Sequence, residues 1–467
     1  MHTNLVILLL TCFLLTGCGG ILYEPPTTAD YCGIDPALLD AETEGNTVLK
    51  LWTNQERQFC WRGFAPFLAA KQQPNLGLDV RVRMFEMNSA PFTDYLMVLA
   101  ERGEAPDIAF AHHDQVIRLG EAGHLYPLDR CRQHPGFASI PDKFWTGFSA
   151  DGQLWGIPMD IEVMLLFYNK NLLHQLGWSQ SQIDTFPKRI ARGDYTLDDL
   201  VATARTAIDN GVVKSGLAFI PNRNQYRTIE GIYVHVGGRY TDQEQRQLIV
   251  NRQALEQAYS FLATLHRHQL FDTRMAMASF ADWGNKVILK DASIHERVLF
   301  WHTYNTERQS LAMSYLNSPD DATTLDDHIG VALLPSSTID QPGYSLLSSS
   351  GDYVIFDNQA TGQANQQAAC HLLAATQASG LLKRHTQKSG IPTFTEGGFT
   401  LPEWFPSDLR TETMIWSMSP VKNIYTYGDI LKEVGVRVER GELTASDAVD
   451  VAVERLRDTL GSQLIVE

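Results

Sequence analysis

The stretch Asp151–Leu173, DGQLWGIPMDIEVMLLFYNKNLL, decides how the whole chain is read. Asp151-Gly152 is a turn dipeptide, Leu154 to Ile157 is a short apolar run, and Pro158 forbids a central ladder bond. Val163 to Tyr168 is a second apolar run, so a turn, a buried strand and a helix start are expected in that order. Asp160 and Glu162 sit between the two runs. Carboxylates buried without partners are costly, so a strand that sets two of them among apolar neighbours is expected to place them at a cleft edge. A solvated loop is the alternative.

Composition narrows the classes. The chain has 467 residues, 44% hydrophobic and 20% charged, enough for two or three globular cores. Asp and Glu number 54 against 38 Lys and Arg, a net charge of −16 that argues against a nucleic-acid partner, whose phosphates need a basic face. Outside the amino terminus no stretch reaches the roughly 18 apolar residues of a membrane-spanning helix. Six cysteines are present. Cys12 lies in the leader and Cys18 at its end, which leaves Cys32, Cys60, Cys131 and Cys370 with three possible pairings. Cys370 falls in a helical run, Gln366 to Gln377, where a buried free thiol is expected. The spacing contains no CxxC, so neither a metal nor a redox centre is expected, and no cofactor is called for.

Folding is expected to begin near residue 47. Val48 to Trp52 reads as a strand, Val80, Val82 and Met84 alternate as a second, and Asp107 to Phe110 is a third. Helical spacing at Phe59 to Leu68, kinked by Pro66, and at Phe92 to Glu101 separates them, which predicts a parallel sheet wound right-handedly. Ligands in such sheets gather at the carboxyl ends of strands. Two loops there carry suitable chemistry: Asn54-Gln55-Glu56-Arg57 and Ala111-His112-His113-Asp114-Gln115. A metal reading of His112, His113 and Asp114 finds no further ligand.

Several motifs carry a resemblance. Gly152, Trp155, Gly156 and Pro158, followed by Phe167, Tyr168, Asn169, Lys170 and Leu173, are similar to the lobe-crossing segment of the carbohydrate-type extracellular solute-binding proteins of ABC importers. Ala105-Pro106-Asp107-Ile108, Thr196-Leu197-Asp198-Asp199, Tyr233 to Gly238, Ile329 to Pro335, Ser348 to Phe356, Ser389 to Pro392 and Gly441 to Ala448 extend it over nearly the whole chain. Ser179 to Asp194 looks like an added loop, and Gly284 to Leu289 departs from the family's Gly-x-x-Ala-Met strand. Leu15-Thr16-Gly17-Cys18 resembles the bacterial lipobox, which implies a leader over 1–17, cleavage before Cys18, acylation of its sulfur, and a tether over 18–46 that holds the domain at the membrane.

The resemblance implies two doubly wound α/β lobes around a cleft, of the type II periplasmic-binding-protein kind. Lobe 1 would comprise 47–160 and 329–382, lobe 2 would comprise 161–328 and 383–467, and hinge strands would lie near 158–162, 325–329 and 381–388. It implies a monomer that captures a sugar and delivers it to ABC permease subunits. The ligand residues it suggests are Glu56, Arg57, His113, Asp114, Asp160, Glu162, Trp301, Asp352 and Tyr427, with Trp155 and Trp416 as further aromatic candidates. Carboxylates and Arg grip hydroxyls, and aromatic faces stack on the ring. Two rivals remain: a sensory receptor of the same fold, and a glycosidase using Asp160 and Glu162. The second is disfavoured because residues two apart on one extended segment lie on one side of a ligand and do not flank it.

Overall fold

The computed structural model describes residues 47–54, 61–85, 89–150, 152–220, 226–242, 247–272, 297–306, 308, 325–357, 362–378, 380–389, 391–395, 398–406, 413–416 and 423–467. The leader, the tether and Cys18 therefore lie outside the described residues. In chain order the elements are β1 (Thr47–Asn54), α1 (Trp61–Gln72), β2 (Leu78–Phe85), α2 (Ser89–Glu101), β3 (Ile108–Ala111), α3 (His113–Glu121), α4 (Asp129–Arg132), β4 (Ile157–Asn169), α5 (Gln180–Arg192) and α6 (Leu197–Asp209). Then come β5 (Phe219–Ile220), α7 (Tyr226–His235), β6 (Gln247–Val250), α8 (Arg252–Arg267), β7 (Phe300–Tyr304), β8 (Ile329–Ala332), β9 (Ser345–Ile355), α9 (Gly362–Ala378) and α10 (Leu381–Ser389). The chain closes with β10 (Thr393–Thr395), β11 (Gly398–Thr400), β12 (Met414–Trp416), α11 (Ile424–Glu439), α12 (Ala445–Leu460) and β13 (Leu464–Val466).

The expected parallel start is present. β1 pairs in parallel with β2, from Thr47 opposite Leu78 to Asn54 opposite Phe85, and with β3, Leu51 opposite Ile108. All four residues of β3 are buried, the pattern of a strand covered on both faces. β4 organises the rest. It runs unbroken for 13 residues with Pro158 near its start, where a missing ladder donor is tolerated.

The partners of β4 change along its length. Asp160 faces both Gly351 of β9 and Thr393 of β10, so those strands occupy opposite edges. Met164 faces both Leu346 of β9 and Tyr304 of β7. Between them the β4–β9 register shifts twice, at Ser348/Gly351 and at Gly351/Asp352, the irregularity that bends a ladder. β9 changes partners at the same level: Asp352 to Ile355 pair with β3, whereas Ser345 to Leu347 pair with β12. Two adjacent antiparallel strands thus pass together from one half of an 11-stranded sheet to the other.

Three local findings differ from the sequence reading. β8, expected to re-enter the first lobe, pairs with Leu166–Asn169 in the second half of β4, so β9 makes the return along the sheet. Gly330 is required there, since a Cβ would lie 2.0 Å from the ring of Tyr168 opposite it. The segment 381–388, expected as a hinge strand, is helical in α10, with Leu381, Leu382 and His385 buried at helical spacing. The segment 179–194, expected as an added loop, is the helix α5. Its Ser179 hydroxyl accepts from the amide of Gln182, whose side-chain oxygen accepts in turn from the Ser179 amide, a capping box that starts the helix, and the helix continues through Pro187.

Cys370 is also not a free thiol. It is joined to Cys131 across a sequence separation of 239, with Cα atoms 5.7 Å apart, linking α9 to α4. Among the described residues no helix is long and apolar enough to cross a membrane.

Candidate functional site

The registers gather one set of residues at the carboxyl ends of the parallel strands. β3 ends at Ala111, whose partner on β9 is Asp352. Asp352 in turn faces Pro158, Gly351 faces Asp160 and Ser348 faces Glu162. β4 therefore passes the end of β3 at Pro158 and delivers Asp160, then Glu162, just beyond it. His112 caps α3 in an extended conformation, and His113 and Asp114 form the first turn of that nine-residue helix. Unsatisfied amides and the helix dipole make such a turn favourable for acceptors on a ligand. Glu56 and Arg57 lie outside the described residues.

The carboxylates differ in their surroundings. Glu162 is half-buried. Asp352 is fully withdrawn from water. Asp160 is equally buried, and its Oδ2 meets Nε2 of His385, also fully buried, at 2.9 Å. Beneath that contact Thr386 and Thr393 share a hydroxyl hydrogen bond of 2.7 Å, and the Thr393 hydroxyl donates to the carbonyl of Leu382. Asp160 is thus tied into the packing of α10. Immediately after Glu162, the amide of Val163 donates to Oδ1 of the buried Asn305 at 2.7 Å, which fixes the strand as it enters its second half.

The aromatic candidates do not join this group. Trp301 is 1% exposed and stacks on Phe167, centroids 5.6 Å apart at 12°, as a cross-strand pair of β7 and β4. Tyr427 is fully buried, and its hydroxyl donates to the carbonyl of Ile249 at 2.8 Å, joining α11 to β6. Trp155 is buried against Gly120. All three fill cores, with no ring face open to a ligand in this conformation. A half-exposed indole that the sequence reading passed over, Trp404, lies beside Phe405 with the guanidinium of Arg308 4.6 Å from its ring. Burial depresses Arg308, and its bond to Asp326 opposes that shift.

His385 and Asn305 had no signal in the sequence, because their partners on β4 are 225 and 142 residues away with no shared motif. Among the described residues no three His, Cys, Asp or Glu side chains converge as a metal site. The chemistry of the group is that of hydrogen bonding: carboxylates that accept from hydroxyls and helix-turn amides that donate to them.

Residues 65–404 match the sequence profile of the bacterial extracellular solute-binding proteins. The maltodextrin-binding protein MdxE of Bacillus subtilis is 33% identical over 95 residues, 20% of this chain and 22% of that protein, so the match spans well under a third of the relative. The sugar-binding protein MalE of Xanthomonas citri superposes with a TM-score of 0.68 at 15% identity, covering 89% of this chain and 98% of the other. The GacH receptor of Streptomyces glaucescens, solved unliganded and with acarbose, gives 0.66 at 14% identity over 89% of this chain and 98% of its own. These structures share with this chain the two-lobed α/β fold of type II periplasmic binding proteins. With the profile covering most of its length, the chain belongs to the bacterial extracellular solute-binding proteins.

Proposed function

We propose that the protein captures a sugar between its two lobes outside the cytoplasm and hands it, chemically unchanged, to the permease of an ABC importer. One observation carries this reading. Both β4 and β9 change partners beside the carboxyl end of β3: Asp352 stands level with that end, α3 begins just after it, and Glu162 follows four residues along β4 from Pro158, where the two halves of the sheet join. A ligand held there touches both halves, and contacts to both favour a closed state only when the ligand is present. Sugars suit acceptor carboxylates and donor amides, and the relatives named above are described as binding maltodextrin, sugar or acarbose. Asp160 and Glu162, two apart on one extended strand, lie on one side of a ligand and do not flank it, which argues against an acid–base pair.

In this reading the lobes divide at Asp160–Glu162 on β4 and at Ser348–Gly351 on β9, which moves the boundary expected at 329 to the second of these. Glu162, His113 and Asp114 hold the ligand, together with Glu56 and Arg57, which follow β1 in the sequence, and the buried Asp352 supports them from β9. Asp160 acts from behind, by fixing the strand through His385. The monomer is held at the membrane by acylated Cys18.

Calorimetry with a panel of malto-oligosaccharides and monosaccharides tests the assignment. A hydrogen bond to a charged group contributes about 1.5–3 kcal/mol, so Glu162→Ala is expected to weaken binding roughly 10- to 150-fold, with the sugar recovered intact. Unchanged affinity removes Glu162 from the site, and turnover of the sugar overturns the binding-protein reading.

A further inference from the structure

The opposite end of β9 leads to a second concavity. From Asp352 the strand runs away from the crossing to Ile355, whose carbonyl accepts the amide of Tyr126 at 2.8 Å. Two residues on, Asp357 accepts the side-chain amide of Gln366 from α9 at 2.8 Å. Here α4 and α9, joined by the Cys131–Cys370 disulfide, border a cavity of about 450 Å³. Tyr126, Arg130, Gln133, His134, Gln367 and His371 line it, with the disulfide in its wall.

The chemistry of this lining is unlike that of the chain. None of the lining side chains is a carboxylate, although the sequence holds 54 acidic residues against 38 basic ones. The rings of His134 and His371 meet edge-to-face at 5.2 Å. Burial and the facing imidazole both hold His134 below the usual histidine value. Nδ1 of His134 accepts the amide of Gly136 at 3.1 Å, so its ring hydrogen resides on Nε2. The same bond argues against a metal, because a ligating histidine normally donates from its second nitrogen and does not accept there. What the wall offers is donors: a guanidinium, imidazole and amide N–H groups and a phenol. Two imidazoles and an arginine gathered without a carboxylate are complementary to an oxyanion, and a forked guanidinium suits phosphate oxygens. The volume falls in the range of small-ligand sites, which run from about 300 to 1,000 Å³.

We propose that this cavity is a second ligand site, separate from the interlobe cleft, for an organic phosphate of monosaccharide size held by Arg130, His134 and His371. The same phosphate chemistry is offered by a free sugar phosphate and by a phospholipid headgroup. Calorimetry on the full chain distinguishes the sources with glucose 6-phosphate, glycerophosphoglycerol as a deacylated headgroup, and glucose as the uncharged control. Binding of the monoester identifies a soluble ligand, and binding of the diester alone identifies a headgroup. In either case Arg130→Glu, at an exposed position, is expected to weaken binding at least about tenfold and His371→Gln several-fold, with Lys383→Glu as an exposed control that changes nothing. Sugar affinity at the cleft and the melting temperature should stay as in the wild type. Failure of both phosphates to bind, equal binding of glucose at the same site, or wild-type binding by Arg130→Glu would overturn the proposal.

Discussion

The crossing strand and the helical layer around α11 each bury a carboxyl group, and they treat it in opposite ways. Asp160 has no exposure and meets a fully buried His385, between Gly351 and Thr393 on its two edges. Glu439, the last residue of α11, is 4% exposed, and among the described residues neither of its carboxyl oxygens has a hydrogen-bond partner. Burial pushes Glu439 up to about 8, with Arg440 pulling the other way, so it is neutral at pH 7. The crossing keeps its acid by giving it a partner, which also orders the strand. The helical layer keeps its acid by protonating it, which orders nothing.

The largest effect is expected from breaking the partnered pair. His385→Ala removes a buried partner of Asp160 and should destabilise the protein by about 3 kcal/mol or more in urea unfolding. Replacing Asp160 and His385 together by leucine should recover much of that loss, because no charge then remains buried. A double variant that loses the sum of the single losses would show that the two groups are not coupled.

The unpartnered acid should behave with the opposite sign. A group whose folded-state value is raised binds more protons in the folded than in the unfolded chain, so it lowers stability as pH rises from about 4.5 towards about 8. Glu439→Gln removes that dependence. Each unit is about 1.36 kcal/mol, so the variant should gain on the order of 4 kcal/mol over wild type at pH 8 and almost nothing at pH 4. Equal melting temperatures of the two proteins at pH 8 would contradict the burial argument.

Arg440 supplies the smallest and sharpest test. It favours the charged form of Glu439, so Arg440→Ala should raise the glutamate's value further, at a cost of a few tenths of a kcal/mol above pH 8. Carbon-13 titration of the Glu439 carboxyl would follow it, and a fall in that value would reverse the assigned direction.

Much of the first half-sheet was legible. Alternation at Val80, Val82 and Met84 and the run at Asp107 to Phe110 gave strands now bounded at Leu78–Phe85 and Ile108–Ala111. The crossing was legible in outline, because a carboxylate pair between apolar runs has few places to go. Its partners were not. Asn305 and His385 reach β4 from 142 and 225 residues away, and nothing local marks a helical histidine as the partner of a strand carboxylate. Aromatic roles were lost for a similar reason: Trp301 and Tyr427 have the composition of sugar-stacking residues, and only tertiary packing sends the first onto Phe167 and the second onto β6. In α5 the spacing Ser179-x-x-Gln182 is a helix-start signal, and it decides the segment as a helix where a loop was expected.

The disulfide has a topological consequence. Cys131 precedes the passage along β4 and Cys370 follows the return along β9, so all of β4 through β9 belongs to one closed covalent ring. A single peptide bond cut anywhere in that ring leaves one molecule, with its two new ends still tethered through α4 and α9. Outside the cytoplasm, nicked copies of this protein would therefore keep both halves of their sheet together until a reductant separates them.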